Sequence, residues 1–214
     1  MKQTFPRRFL MGATSAVVLA SALGGCAPLV LGGAMVSGMV ATDRRTSGAQ
    51  LDDEGIELRA ANRLHDVLGE RGHVNVTSYN RQVLLTGEVP TAQDRELVEK
   101  TIAGVENVRT IVNEVGVMGT SSLSQRSSDT LITGRVKAAM VDAQDIFANS
   151  FKVVTERGAV YLMGRVTQRE ADRATEITRG IGGVQRVVRV LEIITDAELR
   201  RALPQQPAPV APRS

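Results

Sequence analysis

Cysteine occurs once in the 214 residues, histidine twice and tryptophan not at all, and aromatic residues together make up 3% of the chain. A single cysteine excludes an internal disulfide framework and any cluster of thiolate metal ligands. His65 and His73 have no cysteine or metal-ligand spacing around them, so no catalytic residue, metal ligand or cofactor is assigned. With so few rings, the core has to be aliphatic, built from Val, Ile, Leu and Ala. Long apolar runs are missing as well. The stretch from Phe9 to about Leu23 stops at about 15 residues, where a membrane-spanning helix needs roughly 20.

That stretch has a different reading. It follows Lys2, Arg7 and Arg8 and runs into Ser21-Ala22-Leu23-Gly24-Gly25-Cys26. A basic start, an apolar middle and small residues before a cut are the three parts of an export signal. Arg7-Arg8 fits an ordinary signal and a twin-arginine one alike. Leu23-Gly24-Gly25-Cys26 resembles a bacterial lipobox, which makes residues 1–25 a removable signal and Cys26 the acylated first residue. Ala27 is not the aspartate that favours inner-membrane retention, so outer-membrane sorting, facing the periplasm, is expected.

A surplus of one charge is also lacking. The chain holds 26 basic and 23 acidic residues, and loss of Lys2, Arg7 and Arg8 with the signal equalises them. The global basicity expected of a nucleic-acid-binding protein therefore disappears. What remains is uneven: residues 43–120 hold 9 basic and 13 acidic residues, and residues 121–203 hold 13 and 10. Such an imbalance points either to an anionic partner for the second half or to ordinary solvated faces.

What the chain does have is a repeat. Residues 74–89 and 151–166 are each two apolar strands joined at a polar turn, Asn80-Arg81 or Arg157-Gly158, and each ends in Gly-x-Val. Before them, Ile56, Ala60 and Leu64 match Ile132, Val136 and Met140, each set spaced as one face of a helix. Asp53 and Asp129 stand ahead of these stripes as expected N-caps. Charged helices follow at about 92–103 and 169–179. Each runs into Gly-Val-x-x-Val (Gly104 and Gly183), where glycine suits a left-handed helix end, and a last strand follows at 108–115 or 187–193.

Each unit thus reads helix, strand, strand, helix, strand: an α+β fold in which two helices cover one face of a three-stranded sheet. Two discrete domains are expected, at residues 51–117 and 129–195, joined by a linker at 118–128. Residues 26–50 read as a lipidated, flexible tether and residues 196–214 as a helix end with a Pro-rich tail. Gly180-Ile181-Gly182-Gly183 lacks the strand before and helix after it that a dinucleotide loop requires. Asp52-Asp53-Glu54 reads as an acidic helix start.

The ordered motifs of both copies resemble the BON domain. Two such domains behind a lipobox are similar to the dual-BON outer-membrane lipoproteins of Gram-negative bacteria. The likeness is densest at Ala41-Thr42-Asp43-Arg44, at Val74-Asn75-Val76-Thr77 with Gln82-Val83-Leu84-Leu85, and at residues 162–171. It implies a non-enzymatic envelope protein that binds anionic phospholipid through the first helix of its second domain and supports outer-membrane integrity. On this chain the implied contact residues are Leu131, Thr133, Gly134, Arg135 and Lys137, with Leu131 standing where the family pattern has tryptophan. The residues themselves agree in part: Arg135 and Lys137 can reach phosphates while Leu131 faces the acyl boundary. Arg165, Arg169, Arg173, Arg179, Arg186 and Arg189 form either a solvated face or a second anionic contact. The alternative function is an adaptor that binds an envelope assembly machine or cell-wall component through a sheet edge.

Overall fold

The computed structural model describes residues 43–202. Cys26, its lipobox, most of the expected tether and the Pro-rich tail lie outside the described residues. The first unit comprises α1 (Ser47–Leu68), β1 (His73–Tyr79), β2 (Gln82–Val89), α2 (Ala92–Ala103), β3 (Thr110–Asn113) and β4 (Gly116–Val117). The second comprises α3 (Leu123–Asp142), a 3-10 turn (Ala148–Ser150), β5 (Phe151–Glu156), β6 (Ala159–Val166), α4 (Gln168–Arg179) and β7 (Arg186–Ile193), and α5 (Asp196–Ala202) ends the described chain. Both are αββαβ units. In each, an antiparallel hairpin is joined by a parallel last strand, Gln82 opposite Thr110 and Ala159 opposite Arg186.

Both hairpins turn through two residues with positive φ: Asn80 (52°) and Arg81 (65°), and Arg157 (49°) and Gly158 (73°). Such a turn matches the right-handed twist of the strands it joins. It also leaves two adjacent amides pointing at the first helix, and an aspartate meets them. Asp53 accepts from the Asn80 and Arg81 amides, both at 2.7 Å, and Asp129 from those of Arg157 and Gly158, both at 2.8 Å. Asp53 and Asp129 are therefore buried inside their helices and are not N-caps. The caps are Thr46 and Ser122, whose hydroxyls accept from the Ala49 and Gln125 amides.

These caps move the boundaries. α1 starts at Ser47, inside the stretch read as tether, and α3 starts at Leu123, inside the stretch read as linker. The last strand of the first unit, read as 108–115, is split, because pairing to β2 lapses between Asn113 and Gly116. The helix ends differ from expectation too. Gly104 caps α2 in right-handed conformation, and Asn107 is the left-handed residue of that loop. Gly183 has φ of 98°, three residues past the Gly180 cap. Matching hydrogen bonds make Gly104 equivalent to Gly180, and Asn107 to Gly183. The shared Gly-Val-x-x-Val wording thus misaligned the copies by three residues.

Alternation along the strands builds three cores. Val83, Leu85 and Val89 face α1 and α2, joining Ile56, Leu64, Val98 and Ile102. Val160, Leu162 and Val166 face α3 and α4, joining Ile132, Val136, Met140 and Ala174. The intervening residues Leu84, Tyr161 and Met163 point the other way and meet in a third cluster with Tyr79 and Val190. The two sheets therefore pack face to face between two layers of helices, and the described residues fall within one compact unit. The expected discrete domains share a core.

Charge follows the same seam. Lys152, Arg157 and Arg186 of the second half pair with Glu57, Glu88 and Glu114 of the first. The opposite charges of the two halves are in part spent on each other.

Candidate functional site

α3 is held to the second core by Asp129, Ile132, Val136 and Met140, all buried. At about 100° per residue, this seam turns Leu123, Leu131, Gly134, Ala138 and Val141 to the opposite side. Leu123 is 80% exposed and Leu131 62%. A methyl group built on Gly134 would touch nothing within 4 Å. Arg135 and Lys137 flank this face, one to each side. Both are exposed, and neither makes an ion pair or hydrogen bond among the described residues.

Most arginines weighed as a second anionic contact are occupied. Arg165 pairs with Glu192, Arg173 with Asp145, Arg186 with Glu114 and Arg189 with Asp172, while Arg169 donates to the Asp145 carbonyl. Of the five residues implied by resemblance, four lie on the exposed face or its flanks. Thr133 departs from them: its side is half-buried and its hydroxyl donates to Thr155 Oγ1 on β5 at 2.7 Å.

Asp43 to Thr46, read as tether, is instead a strap across both units. The Arg44 guanidinium forks onto Glu170 at 2.7 and 2.8 Å, donates to the Arg165 carbonyl, and lies 5.8 Å from the Phe147 ring. Arg45 turns the other way, to Asp53 at 2.8 Å and over the Tyr79 ring at 4.4 Å. Burial pushes the Glu170 carboxyl up, but Arg44 and the Thr167 amide outweigh it and hold it down at about 2. Glu170 also completes a capping box with Thr167 at the start of α4. The Thr-x-x-Glu spacing was legible in the sequence; its arginine, 126 residues upstream, was not.

The strap ends beside α3. Asp43 lines a cavity of about 420 Å³ together with Lys137, Val141, Ala148 and Phe151. Val141 and Phe147, absent from the sequence reading of the site, are 69% and 56% exposed here. The signal for Val141 was its place one helical step beyond Leu131, Gly134 and Ala138.

The two histidines separate. His65 is exposed in the last turn of α1. His73 is half-buried at the seam, where one of its ring nitrogens and carboxylate oxygens of Glu88 and Glu156 all lie within 4.8 Å of one another. Spacing in sequence gave no hint of this meeting, because the three residues come from β1, β2 and β5. The carboxylates are already engaged: Glu88 by Arg157 and the Ser121 amide, Glu156 by Asn75. Burial, reinforced by Arg126, pushes the His73 imidazole below its usual range against the pull of Glu88. Burial and Glu88 push the Glu156 carboxyl up. Among the described residues no helix is long and apolar enough to cross a membrane.

Comparison with known proteins agrees with this architecture. The BON domain family model matches residues 52–119 and 128–195. The chain is 38% identical over 174 residues to the outer membrane lipoprotein DolP of Haemophilus influenzae, covering 80% of this chain and 90% of that one. It is 36% identical over 154 residues to a 21 kDa hemolysin of Actinobacillus pleuropneumoniae, covering 71% and 79%. Among solved structures, CdsD of the Chlamydia trachomatis type III secretion system aligns at 11% identity and a TM-score of 0.29, too slight a likeness to bear on fold or function.

Proposed function

Since the chain belongs to the BON domain family and carries two copies of the domain, we propose that it is a non-enzymatic lipoprotein of the outer membrane, facing the periplasm. Cys26 anchors it, and the exposed face of α3 binds anionic phospholipid in support of envelope integrity. The relative named an outer membrane lipoprotein supports the location. The observation that carries the lipid reading is the state of Arg135 and Lys137. Most cations of the second unit are paired within the fold, whereas these two make no ion pair or hydrogen bond among the described residues and stand beside an apolar ridge. Interfacial helices combine these two elements, apolar contact and basic flanks.

Cys26 lies 17 positions before Asp43, which extended backbone spans in at most about 60 Å. Asp43 itself shares a cavity with Lys137, so a tether leaving there starts on the side of the molecule that α3 presents.

The test uses residues 39–214, which hold the compact unit of described residues without the anchor. It should sediment with phosphatidylglycerol vesicles and not with phosphatidylcholine ones. Each basic residue near an anionic surface is worth about 1 kcal/mol. Replacing Arg135 and Lys137 by alanine should therefore weaken partitioning roughly thirtyfold at unchanged circular dichroism. Binding that is unaffected by the pair, or equal on both lipids, overturns the reading. The adaptor function would then gain ground.

A further inference from the structure

Val141 and Phe147 are exposed to an extent that water penalises. Both stand at the cavity between the C-terminal half of α3 and the 3-10 turn: Val141 lines it, and Phe147 directly precedes the lining residue Ala148. Met140 and Phe151 supply the apolar inner wall, and Lys137 is the lining cation. The lining anion, Asp43, has both carboxylate oxygens taken by the Arg45 side chain, at 2.7 to 3.2 Å, so its charge is matched. An apolar floor, a cation on the wall that has no partner among the described residues, and an exposed apolar rim complement the glycerol end of an anionic phospholipid. There a phosphate and the first methylenes of an acyl chain occur together.

Resting on the membrane reading above, we propose that this cavity seats one anionic phospholipid molecule. Its phosphate lies against Lys137, and the start of an acyl chain lies over Met140 and Phe151. Phe147 stands at the mouth, in the bilayer interface, with Arg44 on one side of its ring. Phe147 then supplies the interfacial aromatic that α3, with leucine at 131, does not carry. The contact therefore has two parts: the helix face adsorbs to the surface, and the cavity takes a single lipid.

The absence of tryptophan makes this testable. Phe147→Trp and Leu131→Trp each place a lone fluorophore in the 39–214 unit. With phosphatidylglycerol vesicles, F147W emission should shift to the blue and be quenched by brominated acyl chains. Monomeric short-chain phosphatidylglycerol should give a saturable one-to-one response that the phosphatidylcholine analogue does not. Adding Lys137→Ala, at an exposed position without a partner among the described residues, should weaken that response about fivefold. A blue shift from L131W with F147W unchanged overturns the cavity and leaves the helix contact standing. An F147W response indifferent to head group or to K137A also overturns it. Silence from both tryptophans, with no sedimentation, removes the membrane reading and the cavity together.

Discussion

Gly164 and Gly134 show how one residue type serves opposite ends in a single domain. A Cβ on Gly164 would lie 2.4 Å from the Ser150 carbonyl oxygen, because β6 crosses the start of β5 at backbone distance. Gly87 repeats this in the first unit, at 2.0 Å from the His73 carbonyl oxygen. The Gly-x-Val ending of both hairpins is thus a steric requirement. Gly164→Ala should destabilise the 39–214 unit by about 1–3 kcal/mol, the usual cost of forcing atoms into a packed site. Gly134 has open space around it and sits in mid-helix, so Gly134→Ala should stabilise by about 1 kcal/mol. Urea midpoints of the two variants should move in opposite directions.

At the scale of elements, the start of α4 depends on a residue outside its own domain. Glu170 closes the capping box and receives Arg44, and the side chains of both are 2% exposed. Its carboxyl sits at about 2 against an ordinary 4.5. The unfolded chain therefore binds the proton more readily, and the stability Glu170 confers is complete above about pH 4.5. That stability is lost as the pH falls towards 2, by about 3 kcal/mol at most. Melting temperatures of the wild type should fall across that window. Arg44→Ala strands a buried carboxylate, which costs about 3–5 kcal/mol at neutral pH, and its melting curve should be flatter over the same window. A wild-type slope unchanged in R44A would show that Glu170 is not the group responsible. Sequence patterns made the helices and hairpins legible, since a stripe such as Ile132, Val136 and Met140 reports its own buried face. Asp53 and Asp129 were misread because an aspartate before such a stripe looks like a cap. Only the arrival of a hairpin turn shows that it is an acceptor.

At the scale of the whole molecule, the third cluster decides cooperativity. Units of this size bury a modest share of their surface and are marginal alone. Tyr79, Leu84, Tyr161, Met163 and Val190 join them through the faces that the helices leave bare. Met163→Asp puts a charge into that seam while sparing both helix–sheet cores. Calorimetry of the 39–214 unit should show one transition in the wild type and two in M163D, the seam having lost several kcal/mol. A single transition in M163D would mean that the units are coupled by other means, the ion pairs or the strap.

The seam had a trace in the sequence. Val83-Leu84-Leu85 and Val160-Tyr161-Leu162-Met163 are apolar on both faces, as befits strands covered on both sides. What covered the second face could not be read there. Helical stripes, two-residue turns and strand alternation were determined by the sequence alone, because each depends on neighbours a few positions apart. Meeting of the two sheets, docking of the strap and consumption of the half-chain charges were decided by the tertiary structure. The ion pairs across the seam and the Arg44 contact join residues from 69 positions apart, as in Arg157 and Glu88, to 126 apart, as in Arg44 and Glu170. No local pattern encodes a partner at that distance, and which cations are left unpaired among the described residues, Arg135 and Lys137 among them, is known only after the others have found theirs.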